Sequence, residues 1–341
     1  FFHFCRKSLD FGRWRARSGP GPSPRKLFLN SANVTNSMPV IASLFNAASK
    51  APLPLLHRIG ALLGWVTWCA SPTYRRRLAA NIAQAGLPAA TRRLAVASAG
   101  RMVAELPWLW CRRPDAPLGD IVRWEGAEHV EAALARGRGL VMLTPHLGCF
   151  EIIAQAYTER WGGQRAMTAL YRPARQPWLR DLVAQSRNRP GLETAPATLA
   201  GVRQMIRALR KGGTIGLLPD QVPPDGLGVW APFFGREAYT MTLAARLVQQ
   251  TGADWLLLAC ERLPGGRGFV IRASLPDEAL PASPDEPDAE RLAVRSAGVV
   301  NRAMERLIRQ NPGQYLWGYH RYKAPRALAE PAPAPASDAS A

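Results

Sequence analysis

The sequence predicts an α/β protein with a mostly parallel sheet flanked by helices, preceded by an apolar, membrane-associating N-terminal helix. Short apolar runs alternate with amphipathic helical patterns through most of the chain, the pattern of a parallel sheet. The run Gly139-Leu140-Val141-Met142-Leu143 is apolar throughout, as a strand covered on both faces must be. Polar groups follow directly behind several of these runs, at the strand ends where open α/β sheets bind ligands.

In chain order, a helical stretch spans roughly 73–112, and "DIVRWEG" (120–126) predicts a strand. "AEHVEAALARG" (127–137) predicts a helix stopped by glycine, and "GLVMLT" (139–144) a buried strand. "RAMTALY" (165–171), the amphipathic "TLAGVRQMIRALRKG" (198–212) and "GTIGLLP" (213–219) continue the alternation. A helix over 240–252, the strand "DWLLLAC" (254–260) and a helix over 288–310 close the series, and no internal repeat occurs.

Composition changes at both ends. Residues 1–37, with "RSGPGPSPRK", read as a disordered or non-native extension before Met38, and 326–341 as a Pro/Ala tail unable to bury a core. Residues 38–72 are expected to anchor the chain to a membrane, and 73–325 to form the catalytic domain. The apolar run Ile59 to Ala70 is shorter than the roughly 20 residues a spanning helix needs. It carries Trp65 and Trp68 and is followed by Arg75, Arg76 and Arg77, a combination suited to an anionic membrane face.

The chain has 44 Lys and Arg against 25 Asp and Glu, for a formal net charge of +19. Such an excess favours acidic partners. No aromatic–basic signature of an RNA module is present, which argues against nucleic acid. Five scattered cysteines (5, 69, 111, 149, 260) without a CxxC pair argue against a disulfide framework or a zinc site. The Gly/Pro segment around 217–228 lacks the Lys-Ser/Thr ending of a phosphate loop.

The stretch "TPHLGCFEI" (144–152) places His146 just past the buried strand, with Glu151 five residues on. Five helical residues turn through ~500°, so the two share no helix face. They meet only if His146 lies in the turn before a helix. There Glu151 would bond one ring nitrogen and leave the other free to take a proton from a substrate hydroxyl. Arg172, Asp220 and Gln221 also follow strand patterns, and His320 and Arg321 lie among aromatics in "YLWGYHRYK" (315–323). Cys149 is an alternative nucleophile. His57 and His129 read as a helix-surface and a loop residue, without a role.

Taken in order, these blocks resemble the bacterial lipid A late acyltransferases of the lysophospholipid acyltransferase superfamily. His146 and Glu151 match the H-x4-D/E signature. Tyr171-Arg172-Pro173, Pro219-Asp220-Gln221, Phe233-Phe234-Gly235 to Thr240, and Trp317 to Arg321 match four later blocks. Tyr239 departs from the small residue usual in its block. The resemblance covers residue 38 to about 325 and implies the acyltransferase fold, at the cytoplasmic face of the inner membrane. It implies transfer of an acyl chain from an acyl carrier protein thioester, or acyl-CoA, to a hydroxyl of an anionic lipid A precursor. His146 would be the general base and Glu151 its orienting acid. Arg172 would grip acceptor phosphate, and Asp220, Gln221, Gly235, Thr240, His320 and Arg321 would contact substrate. No cofactor or metal is implied. Two alternatives remain: an acyltransferase for another lysophospholipid or glycolipid, and a non-catalytic basic protein binding anionic membrane or nucleic acid.

Overall fold

The computed structural model describes residues 37–171, 182–183, 186–187, 189–282 and 286–326. Arg172, the 1–36 extension and the tail beyond 326 lie outside the described residues.

Four helices come first: α1 (Ser37–Ser49), α2 (Leu53–Ala70), α3 (Pro72–Gln84) and α4 (Thr91–Trp110). The single helical stretch expected over 73–112 is thus two helices. Gly86, at a φ of 67°, and Pro88 break it. The α/β body follows: β1 (Val122–Glu125), α5 (Ala127–Arg136), β2 (Leu140–Leu143), α6 (Ile152–Trp161), β3 (Met167–Tyr171) and β4 (Leu192–Pro196). Then come α7 (Leu199–Arg210), β5 (Thr214–Leu217), β6 (Gly228–Phe233), β7 (Arg236–Met241), α8 (Leu243–Thr251), β8 (Asp254–Arg262), β9 (Phe269–Ser274) and α9 (Ala289–Gln310).

Seven strands form one sheet in the order β1-β9-β8-β2-β5-β3-β4. All neighbours pair in parallel except β8 and β9. The expected α/β architecture is therefore observed. Strands β4 and β9 and the antiparallel hairpin β6–β7 were not anticipated.

The central strand shows why its sequence is apolar throughout. Val141 and Leu143 join one core with α7, α8 and α9, while Leu140 and Met142 join another with α5 and α6. A period-2 backbone sends alternate side chains to opposite faces, and here both faces are covered by helices.

Helices α2 and α4 cross closely enough to need glycine. A Cβ on Gly100 would stand 1.9 Å from the Gly60 carbonyl oxygen, and one on Gly64 would stand 2.3 Å from that of Val96. This contact buries Leu53, Leu56, His57, Gly60 and Gly64 of α2. Its outer face leaves Leu55, Ile59, Leu62 and Val66 exposed at helical spacing, with Leu63 and Trp65 beside them. Among the described residues, no helix is long and apolar enough to cross a membrane.

Candidate active site

Register brings the site together. β2 and β5 are adjacent and parallel, with Leu143 opposite Leu217. Thr144 extends the pairing by one bond, its N–H donating to the Leu217 carbonyl at 3.1 Å. Each chain then runs on without regular structure, so that three residues past these partners His146 meets Asp220. The Asp220 carboxylate accepts from the His146 backbone N–H at 2.9 Å and pairs with the ring Nδ1 at 2.7 Å. The other ring nitrogen, Nε2, meets the Gln221 amide nitrogen at 3.1 Å. Phe150 covers the imidazole edge-on, with ring centroids 4.8 Å apart.

The hydrogen bond expected from Glu151 is therefore made by Asp220. Glu151 lies at the start of α6, and its carboxylate pairs with Arg187 at 3.9 Å. The sequence signal for Asp220 was present, a carboxylate behind a buried strand. What it lacked was the register that places it opposite His146.

The His146 side chain is 17% exposed and that of Asp220 only 1%. Burial opposes ionisation of Asp220, but the neighbouring His146, its ring and backbone hydrogen bonds, and Arg321 outweigh it. The carboxyl is held below its ordinary range. An ionised Asp220 accepts from Nδ1–H and fixes the tautomer with its lone pair at Nε2. Burial and the Asp220 charge push the Tyr315 hydroxyl well above its usual pKa, so this phenol stays neutral.

The C-terminal segment closes this corner. The Leu316 N–H donates to the His146 carbonyl at 3.1 Å, and the Val222 N–H donates to the Tyr319 hydroxyl at 3.0 Å.

Two residues expected to face substrate lie underneath instead. Arg321 is buried, donating to the Tyr239 carbonyl and the Thr240 hydroxyl, each at 2.7 Å. Thr240 is buried and also takes the Asn301 amide. Both support the β6–β7 hairpin, and the Arg321 charge also helps to hold Asp220 ionised. Gly235 forms the tip of that hairpin with Phe234, at φ values of 72° and 48°, the two left-handed residues of a tight turn. The buried Phe234 is locked there by Glu305, which accepts from its N–H, and by Gln84, which donates to its carbonyl. Tyr239 turns its hydroxyl to the N–H groups of Gly226 and Gly228.

His320 is exposed. Partial burial, Arg77, Lys323 and Arg236 together lower its pKa, which marks a concentration of positive charge there. Cys149 is buried, and burial with the nearby Glu105 charge pushes its thiol well up, opposite to what a thiolate nucleophile needs. Among the described residues, no three His, Cys, Asp or Glu side chains are grouped as metal ligands would be.

Two histidines differ from expectation. His129 lies on α5 rather than in a loop. His57 is buried rather than surface-facing, with Nε2 3.1 Å from Glu105.

A strand-end histidine oriented by a buried carboxylate, with its second nitrogen turned to a rim amide, suits proton transfer to or from a substrate. Comparison with known proteins identifies the family. The family model described as bacterial lipid A biosynthesis acyltransferase matches residues 35–324. The chain belongs to that family. It is similar to a lipid A biosynthesis lauroyltransferase of Escherichia coli (strain K12), 28% identical over 228 residues, covering 66% of this chain and 68% of the relative. A lipid A biosynthesis palmitoleoyltransferase of the same organism is 24% identical over 286 residues, covering 80% and 86% respectively. A lipid A biosynthesis acyltransferase of Haemophilus influenzae is 26% identical over 192 residues, 56% of each chain. As a member of this family the protein is an acyltransferase acting in lipid A biosynthesis.

Proposed function

We propose that this acyltransferase moves a fatty acyl chain from an acyl carrier protein thioester to a hydroxyl of a lipid A precursor, with His146 as general base. The observation that carries the reading is the Asp220–His146 pair, which leaves Nε2 as the basic nitrogen. In the resting site the Gln221 amide occupies Nε2, and the acceptor hydroxyl takes its place. The hydroxyl proton passes to Nε2 as its oxygen attacks the thioester carbonyl. The C–S bond breaks, and the thiolate leaves with the proton returned from His146. An ester and a free thiol result, and no acyl-enzyme is formed. Asp220 orients the ring and stabilises its cation; Glu151, at the mouth of the same turn and paired with Arg187, acts on substrate rather than on the imidazole.

An acidic donor and acceptor suit the net charge of +19 and the cluster of His320, Arg77, Arg236 and Lys323. Arg172 remains the residue proposed to grip acceptor phosphate. The apolar outer face of α2, with exposed Arg58 and Arg76 close by in sequence, would lie on the cytoplasmic leaflet of the inner membrane without crossing it. Residues 38–72 would then be the docking region and 73–325 the catalytic domain.

The test is transfer by purified protein in detergent micelles. Labelled acyl carrier protein thioester and a lipid A precursor should give acylated lipid, resolved by mass spectrometry, and His146→Ala should abolish most of it. Near-normal turnover in a folded His146→Ala protein would reject the mechanism. Preference for a lysophospholipid acceptor would reject the substrate assignment and leave the mechanism standing.

A further inference from the structure

Gly148 lies two residues beyond His146, in the turn that aims the imidazole. Its N–H donates to the Gln314 carbonyl at 3.0 Å, and its own carbonyl accepts from Arg262 Nη2 at 3.0 Å. The backbone approaches β8 so closely, at a φ of 58°, that a Cβ here would stand 1.8 Å from the Cys260 carbonyl oxygen. Arg262, the last residue of β8, therefore touches the turn directly, although its side chain is only 2% exposed.

The guanidinium is itself fixed from three sides. Its Nε donates to Glu105 Oε2 at 2.8 Å, a second bond joins Nη2 to Glu105 Oε1, and Nη1 donates to the Ser98 hydroxyl at 3.0 Å. The Gln314 side chain brackets the Arg262 backbone, its oxygen accepting from the N–H at 2.8 Å and its amide donating to the carbonyl at 2.9 Å. His57 of α2 meets Glu105 as well. A buried ion pair often contributes no net stability relative to apolar side chains of similar volume. What it supplies is direction, because the planar guanidinium presents its donors in fixed orientations.

We infer that Arg262, held by Glu105, is a positioning residue for acyl transfer: it fixes the Gly148 carbonyl and through it the placement of His146. The inference rests on His146 being the base. Arg262 and Glu105 are both buried beneath the turn and act through it, not on substrate. Through His57 the same carboxylate is tied to α2, whose opposite face is apolar and exposed, so the clamp joins that helix to the catalytic turn.

The double variant Glu105→Leu/Arg262→Met tests this, because it removes the fork while keeping the volume apolar. The full chain in detergent micelles is measured for thermal unfolding, for kcat and KM per folded molecule, and by NMR for the His146 Nδ1 proton bonded to Asp220. The expected result is a folded protein with KM unchanged and kcat lower by roughly 10–100-fold, as small misplacements of reacting groups produce. The Nδ1 proton should shift or broaden. Unchanged kcat and an unchanged Nδ1 proton would overturn the inference. If the double variant does not fold, Arg262→Lys decides, since an ammonium cannot hold Glu105, Ser98 and Gly148 together. Full kcat per folded molecule in that variant overturns the inference equally. The NMR readout reports ring position without turnover, so a failure here is distinct from active His146→Ala, which would instead remove the base assignment.

Discussion

The molecule contains two histidine–carboxylate pairs with nearly the same local chemistry and different surroundings. His57 meets Glu105 at 3.1 Å, and His146 meets Asp220 at 2.7 Å; both carboxylate side chains are 1% exposed. The first pair lies where α2 crosses α4, and its carboxylate is shared with Arg262. The second lies at the carboxyl ends of two parallel strands, and its far nitrogen faces a rim amide. On the proposed reading, a carboxylate partner alone does not make a histidine catalytic. Place in the sheet and access to the second nitrogen would decide it, with the buried ionic network inferred above as scaffold for the more exposed pair.

The largest expected effect sharpens this contrast. His146→Ala should lower turnover about 10²–10⁴-fold, the usual worth of a general base. Either histidine variant takes a partner from a buried carboxylate and should cost about 1–3 kcal/mol of stability, but His57→Ala should reduce turnover far less. Comparable turnover losses per folded molecule in the two variants would dissolve the distinction.

Next is stability at the scaffold pair. Glu105→Gln leaves Arg262 without its counter-charge, and breaking a buried pair in this way costs about 3–5 kcal/mol. Urea denaturation at neutral pH measures it, and a cost below 1 kcal/mol would mean that water reaches the guanidinium.

A smaller effect follows from the lowered Asp220 pKa. An unfolded aspartate titrates near about 3.9. A folded value below that makes Asp220 stabilising above the unfolded pKa, and the contribution is lost as pH falls through the folded one. Asp220→Asn should therefore weaken the fall of unfolding midpoint with pH in the acid range. An unaltered slope would show that Asp220 is not held ionised.

The smallest concerns the donor. If positive charge steers an acidic carrier protein, the kcat/KM ratio of carrier thioester to coenzyme A thioester should exceed one at low salt and shrink as salt rises. Screening acts over roughly 8 Å at physiological ionic strength, and steering is worth about 10–10³-fold in association rate. A ratio indifferent to salt assigns the charge to the lipid side instead.

Much of the fold was legible because its signals are local. The apolar β2 run, the glycine stop after α5 and the amphipathic α7 depend on neighbours in sequence. The strand β4, with its weak pattern, and the hairpin β6–β7, with Pro232 and a strained Phe234 at its turn, carry no such signal. At the site, His146 stood out from its strand. Asp220 also stood out behind its strand, but not as the partner of His146, because the pairing of Leu143 with Leu217 is tertiary information. The same limit made Arg321 and Thr240 look like rim residues, when a buried hydrogen-bond network holds them under it. His57, a lone histidine in an apolar helix, gave no sign that an arginine 205 positions away shares its acid (262 − 57).

The central claim is that Asp220, rather than Glu151, orients the base, and one side-by-side measurement tests it. Single-turnover acyl transfer is followed for purified Asp220→Asn and Glu151→Gln, each confirmed folded, at saturating lipid acceptor. Loss of the charge that fixes the imidazole tautomer should slow Asp220→Asn by roughly 10²–10⁴-fold, while Glu151→Gln slows much less. The reverse order, with Asp220→Asn near normal and Glu151→Gln almost inactive, would contradict the account.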